Sequence, residues 1–127
     1  MSEKMNKEEL IELIKSLPLD KEDFIILSST QLTLRGILDT AGDLDIAVTE
    51  KGLEKLKQKY DLKPKNNGWF IVSDKIECIL DPMEEDKELV GGYYLQTLEN
   101  YLSYIKNSTR QKDIERVSLI EQYMNRG

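Results

Sequence analysis

Leu27-Ser28-Ser29-Thr30, followed with thirteen residues between Ser29 and Asp43 by Asp43-Leu44-Asp45-Ile46-Ala47-Val48, is the stretch on which the reading of this chain turns. From Asp43 to Val48, polar and apolar residues alternate with the period of two that marks a strand. Asp43 and Asp45 then project from one face, while Leu44, Ile46 and Val48 point into a core on the other. Upstream, Phe24-Ile25-Ile26-Leu27 is too short for a helix and rich in β-formers, which predicts a buried strand. Ser28 and Ser29 switch the chain into a helix that carries Leu32, Leu34 and Ile37.

Outward from this segment the pattern stays regular. Leu10, Ile11, Ile14 and Leu17 form one apolar stripe on a helix over Glu8–Leu17, ended by Pro18. After Val48, Thr49 with Gly52 three positions on supplies a simple N-cap for a helix carrying Leu53, Leu56 and Tyr60. Pro64, Asn66, Asn67 and Gly68 mark residues 61–68 as loop. Trp69–Val72 and Lys75–Leu80 read as two strands joined in a hairpin at Ser73-Asp74. The acidic run Met83–Glu88 reads as a solvated loop. Beyond it the tail is expected to be helical, with one stripe at Leu95, Leu98, Leu102 and Ile105 and another at Ile114, Val117, Ile120 and Met124. Asn107-Ser108-Thr109 is the turn between them. The expectation is one α/β (α+β) domain over residues 1–127, a small mixed β-sheet flanked by helices. It divides into an N-terminal helix within 1–22, a sheet core over 23–82 and C-terminal helices over 93–126.

The chain has 127 residues, 24 Asp+Glu against 18 Lys+Arg, and no histidine. That excludes Ser-His-Asp and Cys-His catalysis and HExxH-type zinc binding. Cys78 is alone, so neither an internal disulfide nor a multi-cysteine zinc site can form. A net charge of −6 argues against a bulk electrostatic grip on nucleic acid or anionic lipid. The charged N-terminus resembles no signal peptide, and no apolar run is long enough for a membrane span, so the chain is expected to be cytoplasmic. Acid–base or metal chemistry must rest on carboxylates.

Two acids side by side on a strand repel unless a positive charge lies between them. A divalent cation answers that need, and Mg²⁺ (or Mn²⁺) takes one or two carboxylates together with substrate phosphates. Small hydroxyl residues opening a helix offer backbone N–H groups and a positive dipole end to phosphate. The plain alternative is a turn cap at Asp43 and a solvated strand acid at Asp45.

With that spacing, Ser28-Ser29 and Asp43-Leu44-Asp45-Ile46 resemble the signature of the nucleotidyltransferase superfamily, whose fold is polymerase-beta-like. There a Gly-Gly or Gly-Ser pair at a strand-to-helix turn precedes an acid-apolar-acid strand. The likeness runs from about Asp23 to the C-terminal helices and is greatest to small bacterial forms of abortive-infection, antibiotic-modifying and antitoxin type. It implies that Asp43, Asp45 and a third carboxylate are catalytic metal ligands. Glu77, in mid-strand among apolar residues, is the third candidate, with Asp81 in reserve. It implies further that Ser28, Ser29 and Thr30 seat the nucleotide. Arg110-Gln111-Lys112-Asp113 resembles a basic motif in which Lys112 reaches the triphosphate and Asp113 orients the helix; otherwise these are a surface lysine and a first-turn acid.

The resemblance implies transfer of a nucleoside monophosphate from an NTP to a hydroxyl of a small molecule or a protein. Three departures favour instead a catalytically degenerate, antitoxin-like module that binds a protein partner. Ser28 stands where the family has glycine, no arginine lies within residues 38–42, and Arg116 replaces an acid. A homodimer would reconcile activity with the small size. An acidic pI disfavours a long RNA acceptor. Tyr93, Tyr94, Tyr101 and Tyr104 read as packing residues or a substrate platform, with Gly91-Gly92 as a hinge.

Overall fold

A computed structural model describes residues 4–80 and 87–125. The first half contains β1 (Met5–Asn6), α1 (Lys7–Lys15), β2 (Phe24–Ile26), α2 (Ser28–Leu34), β3 (Thr40–Ala41), β4 (Leu44–Val48) and α3 (Glu50–Lys59). The second half contains β5 (Lys63–Pro64), β6 (Trp69–Ser73), β7 (Ile76–Leu80), β8 (Lys87–Val90), β9 (Tyr93–Gln96), α4 (Leu98–Ile105) and α5 (Gln111–Asn125). Seven strands form a mixed sheet in the order β5-β6-β7-β4-β2-β9-β8, and β1 pairs with β3 in a separate ribbon.

β4 lies at the centre, antiparallel to β2 and parallel to β7, with Asp45 in register with Glu77. Its alternation sorts the side chains as expected. Leu44, Ile46 and Val48 are fully buried and pack with Ile76 and Cys78 of β7. Leu10 and Ile14 of α1 and Leu53 and Leu56 of α3 cover this face, so both helices are held by amphipathic stripes. Their starts are capped. Asn6 and Glu9 form a capping box on α1, and the Thr49 hydroxyl accepts from Gly52 N–H at 3.1 Å. A Cβ on Gly52 would meet the Asp23 carbonyl at 2.7 Å, so glycine lets α3 approach the start of β2. Among the described residues, the other sheet face carries a small apolar cluster of Ile25, Leu27 and Ala47, with Trp69, Ile79 and Tyr94 against it.

Four expectations change. The leucine stripe beginning at Leu95 is not wholly helical: Tyr93–Gln96 is a strand, so the C-terminal helices begin at Leu98 rather than 93. Gly91 and Gly92, at φ +60° and +93°, form the tight turn joining β8 to β9, a conformation that suits glycine. Residues 61–68 are not all loop, since Lys63 and Pro64 pair with β6. The stripe on α5 is only partly buried. Ile120 is enclosed with Leu32, Leu98 and Tyr101, but Ile114 and Met124 are exposed. Residues 83–86 of the acidic run lie outside the described residues, and its last two, Lys87 and Glu88, are paired in β8 rather than loop. No helix among the described residues is long and apolar enough to cross a membrane.

Candidate functional site

The Ser28-Ser29 turn and the acid pair are tied together by Thr30. Its hydroxyl donates to the Asp43 carbonyl at 2.9 Å and accepts from Asp45 N–H at 3.2 Å. Leu27 N–H donates to the Asp45 carbonyl at 2.9 Å. The start of α2 and the start of β4 therefore form one unit. This corrects the expectation for Thr30. At 1 % exposure, with its hydroxyl engaged on both sides, it positions the acids and is closed to a nucleotide.

Ser28, at the position where the resemblance expects glycine, has φ +55°. The backbone makes the left-handed turn with a side chain that disfavours it. Gln96, on β9 and 4 % exposed, holds that turn from the other side: its Oε1 accepts from Ser28 N–H at 3.0 Å. Gln31 Nε2 reaches the same oxygen at 3.3 Å, and Arg35 Nε donates to Gln31 Oε1 at 2.9 Å. Arg35 also donates to the Gln96 carbonyl at 3.0 Å and pairs with Glu88. Every member of this buried network has a partner, the condition for polar groups to rigidify a core rather than weaken it.

Asp43 is exposed at the rim, and Asp45 is half-buried beside it. Burial, then the charges of Asp43 and Glu77, push the Asp45 carboxyl up to about 6, against the opposing pull of Lys65 and Arg116. Glu77 faces the same edge but accepts from Lys65 Nζ at 2.8 Å. That bond raises the Lys65 ammonium above its ordinary value. Among the described residues no three acidic side chains form a group that could hold a metal ion. The expected three-carboxylate centre of Asp43, Asp45 and Glu77 is thus not closed, because Glu77 is drawn to Lys65. Asp81 lies outside the described residues. The Asp43–Asp45 pair still fits a hard divalent cation. Its donors are oxygens, and burial with the charges of Asp43 and Glu77 outweighs the pull of Lys65 and Arg116 on Asp45, an imbalance a cation would relieve.

α5 supplies the opposing wall. Asp113 is buried and accepts from the Ser108 hydroxyl at 2.7 Å, which pins the turn between α4 and α5. Two clefts flank the acid edge and share Ser29, Asp45 and Arg116. One, of about 420 Å³, runs past Asp43 to Lys112 and Lys4. The other, of about 510 Å³, contains Ser28, Gln96 and Arg110. Burial holds the Tyr101 hydroxyl above its ordinary value, against the opposing pull of Arg116. The structure therefore gathers Ser28, Ser29, Asp43, Asp45 and Lys112 around one edge, with Glu77 adjoining it.

Lys65, Gln96 and Arg116 are the site residues that sequence reasoning misses. Arg116 carries a signal, since it falls one helical turn after Lys112 and so on the same side of α5. Lys65 and Gln96 carry none, because Lys65 follows the edge strand β5 and Gln96 ends β9, and only the pairing of those strands into the sheet brings either to the site.

Comparison with known proteins gives one structural likeness. A solved structure from Thermotoga maritima, named as a candidate nucleotidyltransferase, superposes with a TM-score of 0.56 over 97 % of each chain, at 15 % sequence identity. No protein-family profile matches the sequence, and no curated protein does. The likeness establishes the fold: a mixed sheet with helices in the nucleotidyltransferase arrangement.

Proposed function

We propose that this chain is a metal-dependent nucleotidyltransferase that moves a nucleoside monophosphate from an NTP to a hydroxyl of a small molecule or a protein. The observation that carries the reading is the unit formed by the Ser28-Ser29 turn and the Asp43–Asp45 edge, spliced by Thr30 and faced by Lys112 and Arg116. Asp43 and Asp45 would hold Mg²⁺ (or Mn²⁺), with Glu77 available for a second ion if Lys65 releases it. Bound there, the ion would acidify the acceptor hydroxyl and offset phosphate charge.

The chain's own groups account for the rest. Lys112 and Arg116 bring positive charge to the leaving pyrophosphate, where charge accumulates as the bond breaks. The acceptor oxygen bonds to the α-phosphorus, the bond to the β-phosphate oxygen breaks, and the hydroxyl proton passes to the carboxylate edge. No histidine is required.

Thermal denaturation with each NTP, with and without Mg²⁺, tests this. Saturating ligand at a hundredfold excess over Kd adds about 2.7 kcal/mol of stability. The expected result is an NTP- and Mg²⁺-dependent rise in melting temperature that Asp43→Ala/Asp45→Ala abolishes. Labelled nucleotide should also appear on an acceptor in lysate. Absence of any metal-dependent stabilisation sinks the proposal.

One observation favours a second reading, a degenerate regulatory or antitoxin-like module that binds a protein. Lys65 and Arg116 already set positive charge against Asp45, and Lys65 occupies Glu77. NTP binding without transfer to any acceptor would select this reading.

A further inference from the structure

Glu77 is the acid that a second divalent ion would need, and the fold gives it a cation of its own. Register places Lys63, Ile71, Glu77 and Asp45 in one row across β5, β6, β7 and β4. Lys65, two residues beyond Lys63 in extended backbone, projects from the same face. The main chain fixes its position. Lys65 N–H donates to the Trp69 carbonyl at 2.7 Å, and Asn67 and Gly68, at φ +62° and +83°, turn the chain back into β6. From there the Lys65 ammonium donates to Glu77 Oε1 at 2.8 Å. Behind that bond, the charges of Asp45 and Asp43 attract it as well.

An ammonium has three donors and no acceptor, so it cannot ligate a metal ion and repels one. An Mg²⁺ about 2.1 Å from Glu77 Oε1 would lie within about 5 Å of the ammonium, where like charges oppose each other. With Lys65 counted, one divalent ion is enough to balance the three carboxylates.

We infer that Lys65 takes the place of a second metal ion at the acid edge, so that the chain holds one divalent ion, on Asp43 and Asp45, while Lys65 neutralises Glu77. This rests on the nucleotidyltransferase reading only for the ion on Asp43 and Asp45. Lys65 acts through Glu77 and is a positioning residue. It supplies, as a fixed part of the chain, the charge that a second ion would otherwise bring to the edge.

Mn²⁺ is the probe, because binding removes the paramagnetic resonance signal of the free ion and so gives the number of ions held per chain. The wild-type chain should bind one Mn²⁺, and Asp43→Ala/Asp45→Ala none. Lys65→Met should bind two, and Lys65→Met/Glu77→Gln one again. Glu77→Gln alone should leave the count at one, and so should Lys65→Arg, which keeps a cation beside Glu77. A merely structural ion pair would leave every one of these counts unmoved. The Lys65–Glu77 pair lies largely at the surface, so the variants should fold, and melting curves without metal check this.

Two ions on the wild-type chain would overturn the inference, as would none. A single ion on folded Lys65→Met would also overturn it, as would a second ion that survives Glu77→Gln. If any of these occurs while Mg²⁺-dependent NTP stabilisation and transfer are seen, the transferase reading stands and only the role of Lys65 is wrong. If the count rises from one to two in Lys65→Met but neither NTP stabilisation nor transfer is seen, the role of Lys65 stands and the transferase reading falls.

Discussion

The two faces of β4 and β7 are made by alternate residues of the same strands, yet they have opposite physical characters. On one face Leu44, Ile46, Val48, Ile76 and Cys78 are sealed beneath α1 and α3. Burial alone pushes the Cys78 thiol up to about 11, as expected for an inert core cysteine. On the other face Asp45 and Glu77 stand in register, thinly covered and mutually repelling. The first face supplies stability, and the second spends some of it. Placing a charged edge one residue away from a dry core makes that edge rigid, because a one-residue slip would exchange the faces.

Substitutions on each face test this division. The largest effect is expected on the sealed face, from Ile46→Ala. Ile46 is fully buried at the centre of the sheet, so the cavity should cost about 2–5 kcal/mol in urea denaturation. A loss below about 1 kcal/mol would show that this face is not the stabilising one.

Asp45→Asn should act in the opposite direction. The carboxyl of Asp45 is held near 6 in the folded chain against 3.8 as its ordinary value. Between those values the folded state binds the extra proton. Stability of the wild-type chain therefore falls as pH rises from about 4 through about 6, and the penalty is fully present above that. A two-unit shift corresponds to about 3 kcal/mol as a ceiling. The variant should match wild type near pH 4, exceed it by roughly 1–3 kcal/mol at pH 8, and lose metal-dependent NTP binding. Equal stability at both pH values would remove Asp45 as a strained group.

Ser28→Gly should relieve the left-handed turn and stabilise by about 1 kcal/mol, measured by the same denaturation. A destabilisation would mean that the serine hydroxyl contributes more than the backbone costs. The smallest effect is expected from Lys65→Ala. Melting temperature should hardly change, because the Lys65–Glu77 pair is largely at the surface. The Asp45 titration, followed by NMR, should move above about 6 once an opposing positive charge is removed. An unmoved titration would show that Lys65 does not act on Asp45.

Much of the scaffold is legible in residue order. Leu44, Ile46 and Val48 announce a strand with one buried face, Thr49 announces the cap that follows, and Trp69–Leu80 announces a hairpin. Each of these signals is local, within a few residues of the element it specifies. Gly91-Gly92 between β-rich flanks is also a hairpin signal. The helix-like spacing of Leu95, Leu98, Leu102 and Ile105 competes with it there. Pairing with β2 decides the contest, since Ile26 in the sheet claims Leu95. The exposure of Ile114 and Met124 is equally illegible, because apolar spacing states which face could be buried and not whether another element reaches it.

By itself the sequence determined that Asp43 and Asp45 share an edge opposite a hydrophobic core, a consequence of strand periodicity alone. It also determined that histidine chemistry is closed to these residues, which left carboxylates as the expected seat of acid–base or metal chemistry. Tertiary structure decided what surrounds those carboxylates. Gln96 reaches Ser28 across 68 positions, and Lys65 reaches Glu77 only because β5 joins the sheet edge. Arg116 faces Asp45 because Ile120 docks α5 against α2 and α4. Charge pairing depends on distance through space, and the packing that fixes such distances is not written in the spacing of any one segment.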